Sequence, residues 1–460
     1  MMGRRYPHRA VALSLAAGLG GLAAGGMVPP AAAGDALVAS PGSAGLGAEA
    51  PADGPELVLP DALKAAVGHD PRVAEARAEL ARRGDEVDMA RADRWPQVSA
   101  STRSEFNSTL NRHVPVASVT ASQRLYDFGE VGGRVDGARA GEVAARAEWQ
   151  QTVEDVAADA AHAFIQVQRY QALLVVAEEQ VAAMSRLEGL IQRRAAMGAS
   201  TRSDEREVAA RVDAARLTRA QVATQLADAR RALRRLVPGR YTVAHRAEPP
   251  AQLAGACDRV DVEDIDHLPE LQAAAARSAE ARAGVKAARA ARFPTLSLDV
   301  TSDRFFDSDV PNQTETSVLL NVRADLFAGG RNRAGQSASR HRLAAAEAAA
   351  AGARLDADQR LQQAAEQAAA LAERMGVLAR RIETLDELRD LHQSQYLRAG
   401  TRSLMNLLDV EQDYFQARFD QLDLRHDQKA RQVDCLSAVG ALGVTFELDD
   451  RRPEAIDLPL

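Results

Sequence analysis

Two short polar clusters, each introduced by a glycine, hold the residues of this chain that are best suited to chemistry. Gly198 precedes Asp204 in the first cluster, and Gly400 precedes Asn406 and Asp409 in the second. Carboxylate and amide groups near the start of a helix accept backbone N–H groups, and a carboxylate also attracts cations. The equal spacing from Gly198 to Asp204 and from Gly400 to Asn406 predicts two equivalent turns between helices.

The sequence lacks the motifs that common enzyme active sites require. It contains no phosphate-binding Walker loop, no His-Glu-x-x-His, no Cys-x-x-Cys and no Gly-x-Ser-x-Gly. Its histidines are scattered without the spacing of metal ligands, so we expect neither an enzyme nor a resident cofactor or metal. The net charge of −7 also excludes a strongly basic nucleic-acid binder.

Matched prolines show that the elements around the two clusters are written twice. Pro71 and Pro96 enclose a helical segment, and Pro269 and Pro294 enclose one of equal length. Proline fixes φ and lacks an N–H group, so it is favoured where a helix begins and where one ends. A period of about 200 residues is too long for a solenoid repeat of 20 to 50 residues and predicts a duplicated half-molecule. The division is 57–236 for the first repeat, 237–268 for an equatorial linker and 269–446 for the second repeat.

Each repeat passes from strands to a long helix. After the second proline of each pair, apolar and polar residues alternate, which is typical of strands with one apolar face. Apolar residues then recur every three and four positions, as in a coiled coil. Since no proline lies between Gly129 and Gly198, that helix extends over ~65 residues, or ~100 Å. The expected strands are 97–107, 116–126, 295–304 and 316–326.

The amino terminus has the pattern of a secretory signal peptide. Basic residues precede a short apolar run and a small-residue cleavage site at Ala31–Ala33, which predicts a signal over 1–33. We expect a flexible Ala/Gly/Pro leader at 34–56 and an acidic tail at 447–460. Export to an oxidising compartment permits a bond between the two cysteines, Cys257 and Cys435, but two separate buried thiols fit the sequence equally well.

The four predicted strands have about ten residues each, with one apolar and one polar face, and in a membrane such strands must form a closed sheet. Ten tilted strand residues match the thickness of an outer membrane, and lipid admits only closed barrels, which need about eight strands or more. The alternative is a small soluble sheet. Together with the export signal, the pattern predicts a mainly α chain in which three copies form a 12-stranded barrel above a tube of antiparallel helices.

The strand pairs, long hairpins and tip sequence Gly400–Asp409 resemble the TolC family of outer-membrane channel-tunnels, over about Leu57 to Leu448. The resemblance implies a homotrimer in the outer membrane that reaches across the periplasm. It also implies that Asp409 belongs to a ring that binds cations at the entrance, whereas Asn406 replaces the usual second aspartate and weakens that ring. A further set of tip residues would hold the two hairpins together: Gly198, Asp204, Gly400, Thr401, Arg402 and Ser403.

Two details refine these expectations. Arg402 is expected to pair with Asp204 or with a neighbouring chain. Tyr396 lies four residues before Gly400, whereas a well-known family pattern has its tyrosine three before, so part of the closing network is expected to be absent.

The resemblance also suggests the partners. The end of the last helix, Gln432–Leu442, looks like the branch that serves type I protein secretion, which implies a periplasmic adaptor and an inner-membrane ABC transporter. The first alternative is a proton-driven pump of the RND type that exports drugs or metals. A second alternative, of another class, is a periplasmic coiled-coil scaffold without a pore.

Overall fold

The structure is a computed structural model that describes residues 54–107, 112–244, 253–257, 265–306, 313–399 and 402–448. The predicted signal peptide, nearly all of the predicted leader and most of the predicted tail lie outside these residues.

Long helices dominate the described chain, and short strands connect them. The helices are α1 (Leu59–His69), α2 (Pro71–Ala92), α3 (Glu130–Ala196), α4 (Arg202–Leu236), α5 (Pro269–Ala290), α6 (Arg331–Ser394), α7 (Leu404–Ala438) and α8 (Leu442–Thr445). The strands are β1 (Glu56–Leu57), β2 (Gln97–Asn107), β3 (Arg112–Tyr126), β4 (Thr242–Val243), β5 (Thr295–Phe305) and β6 (Thr314–Arg323). A short π-helix, Gln395–Ala399, continues α6.

The two long helices confirm the length predicted from sequence. α3 has 67 residues and α6 has 64, so each extends about 100 Å at 1.5 Å per residue. Each begins after a glycine with a positive φ, Gly129 at 91° and Gly330 at 85°. That backbone conformation is open to glycine without steric cost and turns the chain sharply from strand to helix. None of the helices in the described ranges combines the length and apolarity needed to cross a membrane.

The matched prolines begin matched helices. Pro71 and Pro269 each occupy the first residue of a 22-residue helix, α2 and α5 respectively. Asp70 also caps α2, since its carboxylate accepts the N–H of Arg72 at 2.8 Å. The duplicated half-molecule is therefore visible in the local structure.

Four of the strands form one antiparallel sheet in the order β2-β3-β5-β6. The central β3–β5 pairing joins the first repeat to the second. β3 begins at Arg112, four residues earlier than predicted, because the entire stretch from Arg112 to Ser122 pairs with β2. β6 ends at Arg323, three residues earlier than predicted, and Leu326 and Phe327 follow it almost fully exposed.

The two faces of the sheet differ in chemistry. On the polar face, Ser118 donates to Asp303 and Ser122 donates to Asp299, each across the β3–β5 pairing. Side chains directly opposite each other in paired strands share a face, so the register defines both faces. The other face carries an apolar band: Val98, Ala100, Ala117, Val119, Ala121, Leu298, Val300, Val318, Leu320 and Val322.

α3 packs against α5 near the sheet and against α4 further along. The approach to α5 is closest at Gly133, where an added Cβ would lie 2.9 Å from the backbone nitrogen of Ala287. Beyond it, Gly137 faces Ala283 and leaves 3.6 Å for a Cβ. Small residues at such positions let two helix backbones approach closely over a long contact.

Cys257 and Cys435 form a disulfide, which decides between the alternatives that the sequence left open. The bond ties the segment at 253–257 to the end of α7, and the two Cα atoms lie 5.2 Å apart. The N–H of Cys257 also donates to Gln432 at 3.3 Å. The 178 residues between the cysteines explain why the sequence gave no geometric reason for the pairing.

A buried carboxylate fastens the chain end beyond α7. Glu154 of α3 is 4% exposed and accepts the backbone N–H of Leu442 at 3.0 Å and of Gly443 at 2.6 Å. Burial is the largest cause and raises the pKa of Glu154 to about 7. The two N–H groups lower this pKa, and the charge of the neighbouring Asp155 raises it. The carboxylate therefore titrates near neutral pH while it caps α8.

Gly133→Ala should separate α3 from α5. The new Cβ meets backbone rather than a flexible side chain, so we expect a loss of about 1–3 kcal/mol in the free energy of unfolding. Gly132→Ala is the matched control because nothing lies within 4 Å of its Cβ; it should stabilise the helix by about 0.5–1 kcal/mol. Denaturant titration of both variants measures the difference, and equal stability of the two would refute the close approach.

The folded state should lose stability as the pH rises, because Glu154 then ionises while it is buried. With a raised pKa, the folded state holds a proton that the unfolded state releases, so stability is greatest below pH 4.5 and falls by about 3 kcal/mol by pH 7.5. Amide hydrogen exchange of residues 440–448, corrected for intrinsic rates, measures this change. Glu154→Gln should remove the pH dependence and Glu148→Gln should keep it; a flat wild-type profile would contradict the assignment.

Candidate functional site

The first hairpin tip lies between α3 and α4. Gly198 has a φ of 72°, and the N–H of Ala199 donates to the carbonyl of Arg194 at 2.8 Å, which closes the end of α3. Thr201 and Asp204 then form a capping box: Asp204 N–H donates to Thr201 Oγ1 at 3.2 Å, and Thr201 N–H donates to Asp204 Oδ2 at 2.8 Å. Asp204 therefore fixes the start of α4.

The second tip has an N-cap with the same spacing at the start of α7. The N–H of Asn406 donates to Ser403 Oγ at 3.3 Å, and the Ser403 hydroxyl donates to the Asn406 side-chain oxygen. The three-residue spacing is that of the first cap, which accounts for the matched polar clusters in the sequence. Gly400 and Thr401 lie outside the described residues.

Asn406 and Asp409 lie one helical turn apart on the exposed side of α7. Leu404, Leu407 and Leu408 are buried on the other side, so the hydrophobic packing of α7 fixes the direction of both polar groups. The side-chain amide of Asn406 takes part in the cap at the start of α7, whereas the Asp409 carboxylate is exposed on the same side of the helix. The two candidate entrance residues are thus close together but differ in role.

Arg211 of α4 meets Asp409, a contact that sequence reasoning missed. Its Nη2 lies 3.3 Å from Asp409 Oδ1, and its Nη1 donates to Gln412. The only local signal was Glu207 four residues earlier, whose Oε1 accepts Arg211 Nε at 3.3 Å. The Arg211–Asp409 pair joins the two hairpins of one chain.

Arg402 does not make the expected pair with Asp204 inside one chain. Its Nε donates to Gln395 Oε1 at 3.2 Å, whereas the Asp204 carboxylate accepts the N–H of Thr201. The Asp204 carboxylate is engaged in the capping box because the N–H of Thr201 lies only three residues away in the chain. A contact of Arg402 with a neighbouring chain stays a prediction.

Tyr396 joins the two tips in spite of its shifted position in the sequence. Its hydroxyl lies 3.3 Å from Ser200 Oγ, and the Arg194 guanidinium lies 5.0 Å from the centre of its ring. Tyr396 is buried in the π-helical segment, whose hydrogen bonds span one residue more than those of an α-helix. The absence of part of the family's closing network stays a prediction.

A groove of about 570 Å³ separates α3 from α6 and α7 above the tips. Four arginines line it, Arg186, Arg193, Arg389 and Arg418, together with the carboxylates Glu179 and Glu411. Burial raises the pKa of Glu411, and the nearby Arg389, 3.8 Å away, opposes that shift. No sequence pattern pointed to this groove because its lining comes from helices far apart in the chain.

Among the residues that the structure describes, no group of three or more His, Cys, Asp or Glu side chains is placed to hold a metal ion. Asp409 contributes one carboxylate per chain, so a cation site at the tips needs carboxylates from several copies.

The chain is similar to known proteins over most of its length. It is 28% identical to the protein CyaE of Bordetella pertussis over 95% of this chain and 96% of that protein. Its fold also matches solved structures, among them the following three. The outer membrane protein VceC of Vibrio cholerae matches with a TM-score of 0.74 and 17% identity over 83% of this chain and 96% of that chain. CusC matches with a TM-score of 0.73 and 18% identity over 83% and 91% of the two chains, in the same order. The open outer membrane channel MtrE of Neisseria gonorrhoeae matches with a TM-score of 0.71 and 19% identity over 84% and 89%.

The family assignment follows from the match of a family model to two segments of the chain. The family model described as outer membrane efflux protein matches residues 62–239 and 265–441, which are nearly the two repeats predicted from the prolines. Together these ranges cover more than half of the chain and leave out residues 240–264, which lie within the predicted linker. The chain belongs to the outer membrane efflux protein family.

Proposed function

We propose that three copies of this chain form a passive exit duct in the outer membrane of a Gram-negative bacterium. The observation that carries the proposal is the four-stranded sheet with one apolar and one polar face, which continues directly into helices about 100 Å long. The sheet is the membrane part and the helices are the wall of a periplasmic tunnel. The duct supplies no energy.

The chemistry of the faces supports a water-filled lumen. The apolar band on one face includes Val119 and Val322, which are 51% and 70% exposed in the single chain. The opposite face carries the hydrogen-bonded pairs of Ser118 with Asp303 and of Ser122 with Asp299. In membrane barrels the apolar side chains face lipid and the polar ones face the interior.

The edges of the sheet require more than one copy of the chain. β2 and β6 are the edge strands of the four-stranded sheet, and unpaired backbone groups are costly in lipid. The smallest single-chain barrels have about eight strands, so one chain with four strands falls short. Three chains related by a closed rotation supply twelve strands and leave no edge.

The hairpin tips are the proposed entrance. Asp409 and Asn406 line it, and the gate contacts come from the residues around Gly198 and Gly400. Within one chain, the Tyr396–Ser200 contact and the capped turns at Thr201–Asp204 and Ser403–Asn406 would hold the resting tip. Adaptor binding at the tips separates the hairpins, the entrance widens and the cargo passes.

The proposed partners are an inner-membrane ABC transporter and a periplasmic adaptor, which together perform type I protein secretion. The stretch Gln432–Leu442, which resembles that branch of the TolC family, is firmly anchored: Cys435 is in the disulfide and Leu442 donates to Glu154. The match to CyaE also spans nearly the full length of both chains. A proton-driven RND pump that exports drugs or metals is the alternative.

A charge on the apolar face should prevent stable insertion. Val119 lies near the middle of β3, so Val119→Lys should cost about 2–4 kcal/mol in lipid. Ser99 of β2 pairs with Thr120 on the polar face, so Ser99→Lys is the matched control and should cost little. Trimer yield from outer-membrane fractions and urea unfolding in lipid vesicles measure the effect.

The same pair of variants tests the non-pore scaffold. A periplasmic scaffold would be soluble after lysis, would conduct no current in planar bilayers and would tolerate lysine equally on both faces. Equal tolerance, together with absence of conductance, would reject the duct.

Deletion of the gene should identify the cargo class. We expect the loss of one or more secreted proteins from the medium with unchanged sensitivity to drugs and metals, because a type I system carries proteins. A plasmid copy should restore secretion. Unchanged secretion accompanied by drug or metal hypersensitivity would replace the ABC transporter by the RND-type pump while leaving the duct intact.

A further inference from the structure

Near the tips, Arg211 of the first hairpin forms an ion pair with the second hairpin of the same chain. From α4 it reaches Asp409 and Gln412, both on α7, and it also contacts Glu207 on its own helix. Each nitrogen of the guanidinium therefore faces an acceptor. The guanidinium holds its donors in a rigid fork, so such an arrangement fixes geometry as well as charge.

The exposure of the two partners shows which one is anchored. The Arg211 side chain is 25% exposed, whereas that of Asp409 is 58% exposed. Arg211 is thus the partly buried member that its own helix holds in place, and Asp409 is the accessible member. If α7 moves away from α4, the carboxylate leaves the guanidinium and faces water.

We infer that Arg211 is a charge-masking clamp for the entrance: it neutralises Asp409 at rest and holds α7 against α4. The inference rests on the proposed function, because it takes the tips as the entrance of a duct. Asn406 contributes no charge, so of the two candidate entrance residues only Asp409 is charged, and the Arg211–Asp409 pair decides whether that carboxylate is neutralised. Separation of the hairpins then opens the passage and unmasks its carboxylates in one step.

Single-channel recording in planar bilayers tests this coupling. Arg211→Gln should raise the resting conductance and raise the ratio of potassium to chloride permeability at least about twofold, because unmasked carboxylates attract cations. Asp409→Asn should also raise the conductance, since it breaks the same contact, but it should lower the permeability ratio. Unchanged conductance and permeability in Arg211→Gln would overturn the inference.

A double variant and a conservative variant distinguish two effects of Arg211: holding α7 against α4, which is the clamp, and neutralising Asp409, which is the mask. Arg211→Gln combined with Asp409→Asn should conduct no more than either single variant, and additive increases would overturn the clamp. Arg211→Lys keeps the charge but loses the fork, so it should raise conductance while the permeability ratio stays near that of the wild type. A permeability ratio equal to that of Arg211→Gln would overturn the mask.

Arg216→Gln is the matched control. Arg216 lies on the same helix and pairs with Asp213 of that helix at 3.0 Å, so its removal takes away the same charge without touching α7. Arg216→Gln should change neither the resting conductance nor the ratio of potassium to chloride permeability. Changes as large as those of Arg211→Gln would show a general effect of charge on α4 and would overturn the clamp.

Amide hydrogen exchange measures how firmly the start of α7 is held, and it needs no conductance measurement. Arg211→Gln and Asp409→Asn should each speed the exchange of amides in 404–410, and the double variant should add nothing. A wild-type protein that gives no conductance rejects the duct. Unaltered exchange in both single variants rejects the clamp even if the protein conducts.

Discussion

Backbone pairing at the edges of the sheet is the constraint on which this architecture depends. The sheet ends at β2 on one side and at β6 on the other, and a hydrocarbon layer supplies no hydrogen bonds to the outer backbone groups of an edge strand. Only further copies can complete the pairing. In the trimer that we propose, closure pairs every edge strand and encloses the polar face of the sheet.

The helices serve length rather than the filling of a core. α3 and α6 are each more than five times the average length of about 11–12 residues in globular proteins. α6 is largely exposed along its length, and Leu355, Val377 and Leu391 are among its exposed apolar side chains. In the trimer that we propose, neighbouring copies cover such side chains, so the hydrophobic packing of one chain is completed by assembly.

α7 is held differently at its two ends. Near the equator, a covalent bond at Cys435 and the buried Glu154 beyond the helix fasten the chain. At the tip, Leu404, Leu407 and Leu408 of α7 lie in a buried apolar cluster with residues of α3 and α4. The polar contacts there include the partly exposed Arg211–Asp409 pair and the hydrogen bond between the Tyr396 and Ser200 hydroxyls. Solvated ion pairs contribute at most about 1 kcal/mol, so the apolar cluster contributes more than the ion pair to the stability of the closed tip. In the duct that we propose, opening has to separate these leucines from α3 and α4 while the disulfide keeps the equatorial end fixed.

The sequence by itself determined the elements and their duplication. Proline positions, alternation of apolar residues and the polar cap residues act within a few positions of the chain, so they specify helix starts, strands and turns without knowledge of the fold. The tertiary structure alone decided the β3–β5 pairing, the disulfide across 178 residues and the Arg211–Asp409 contact across 198. Those contacts depend on how long helices lie side by side, and no local pattern of residues records that arrangement.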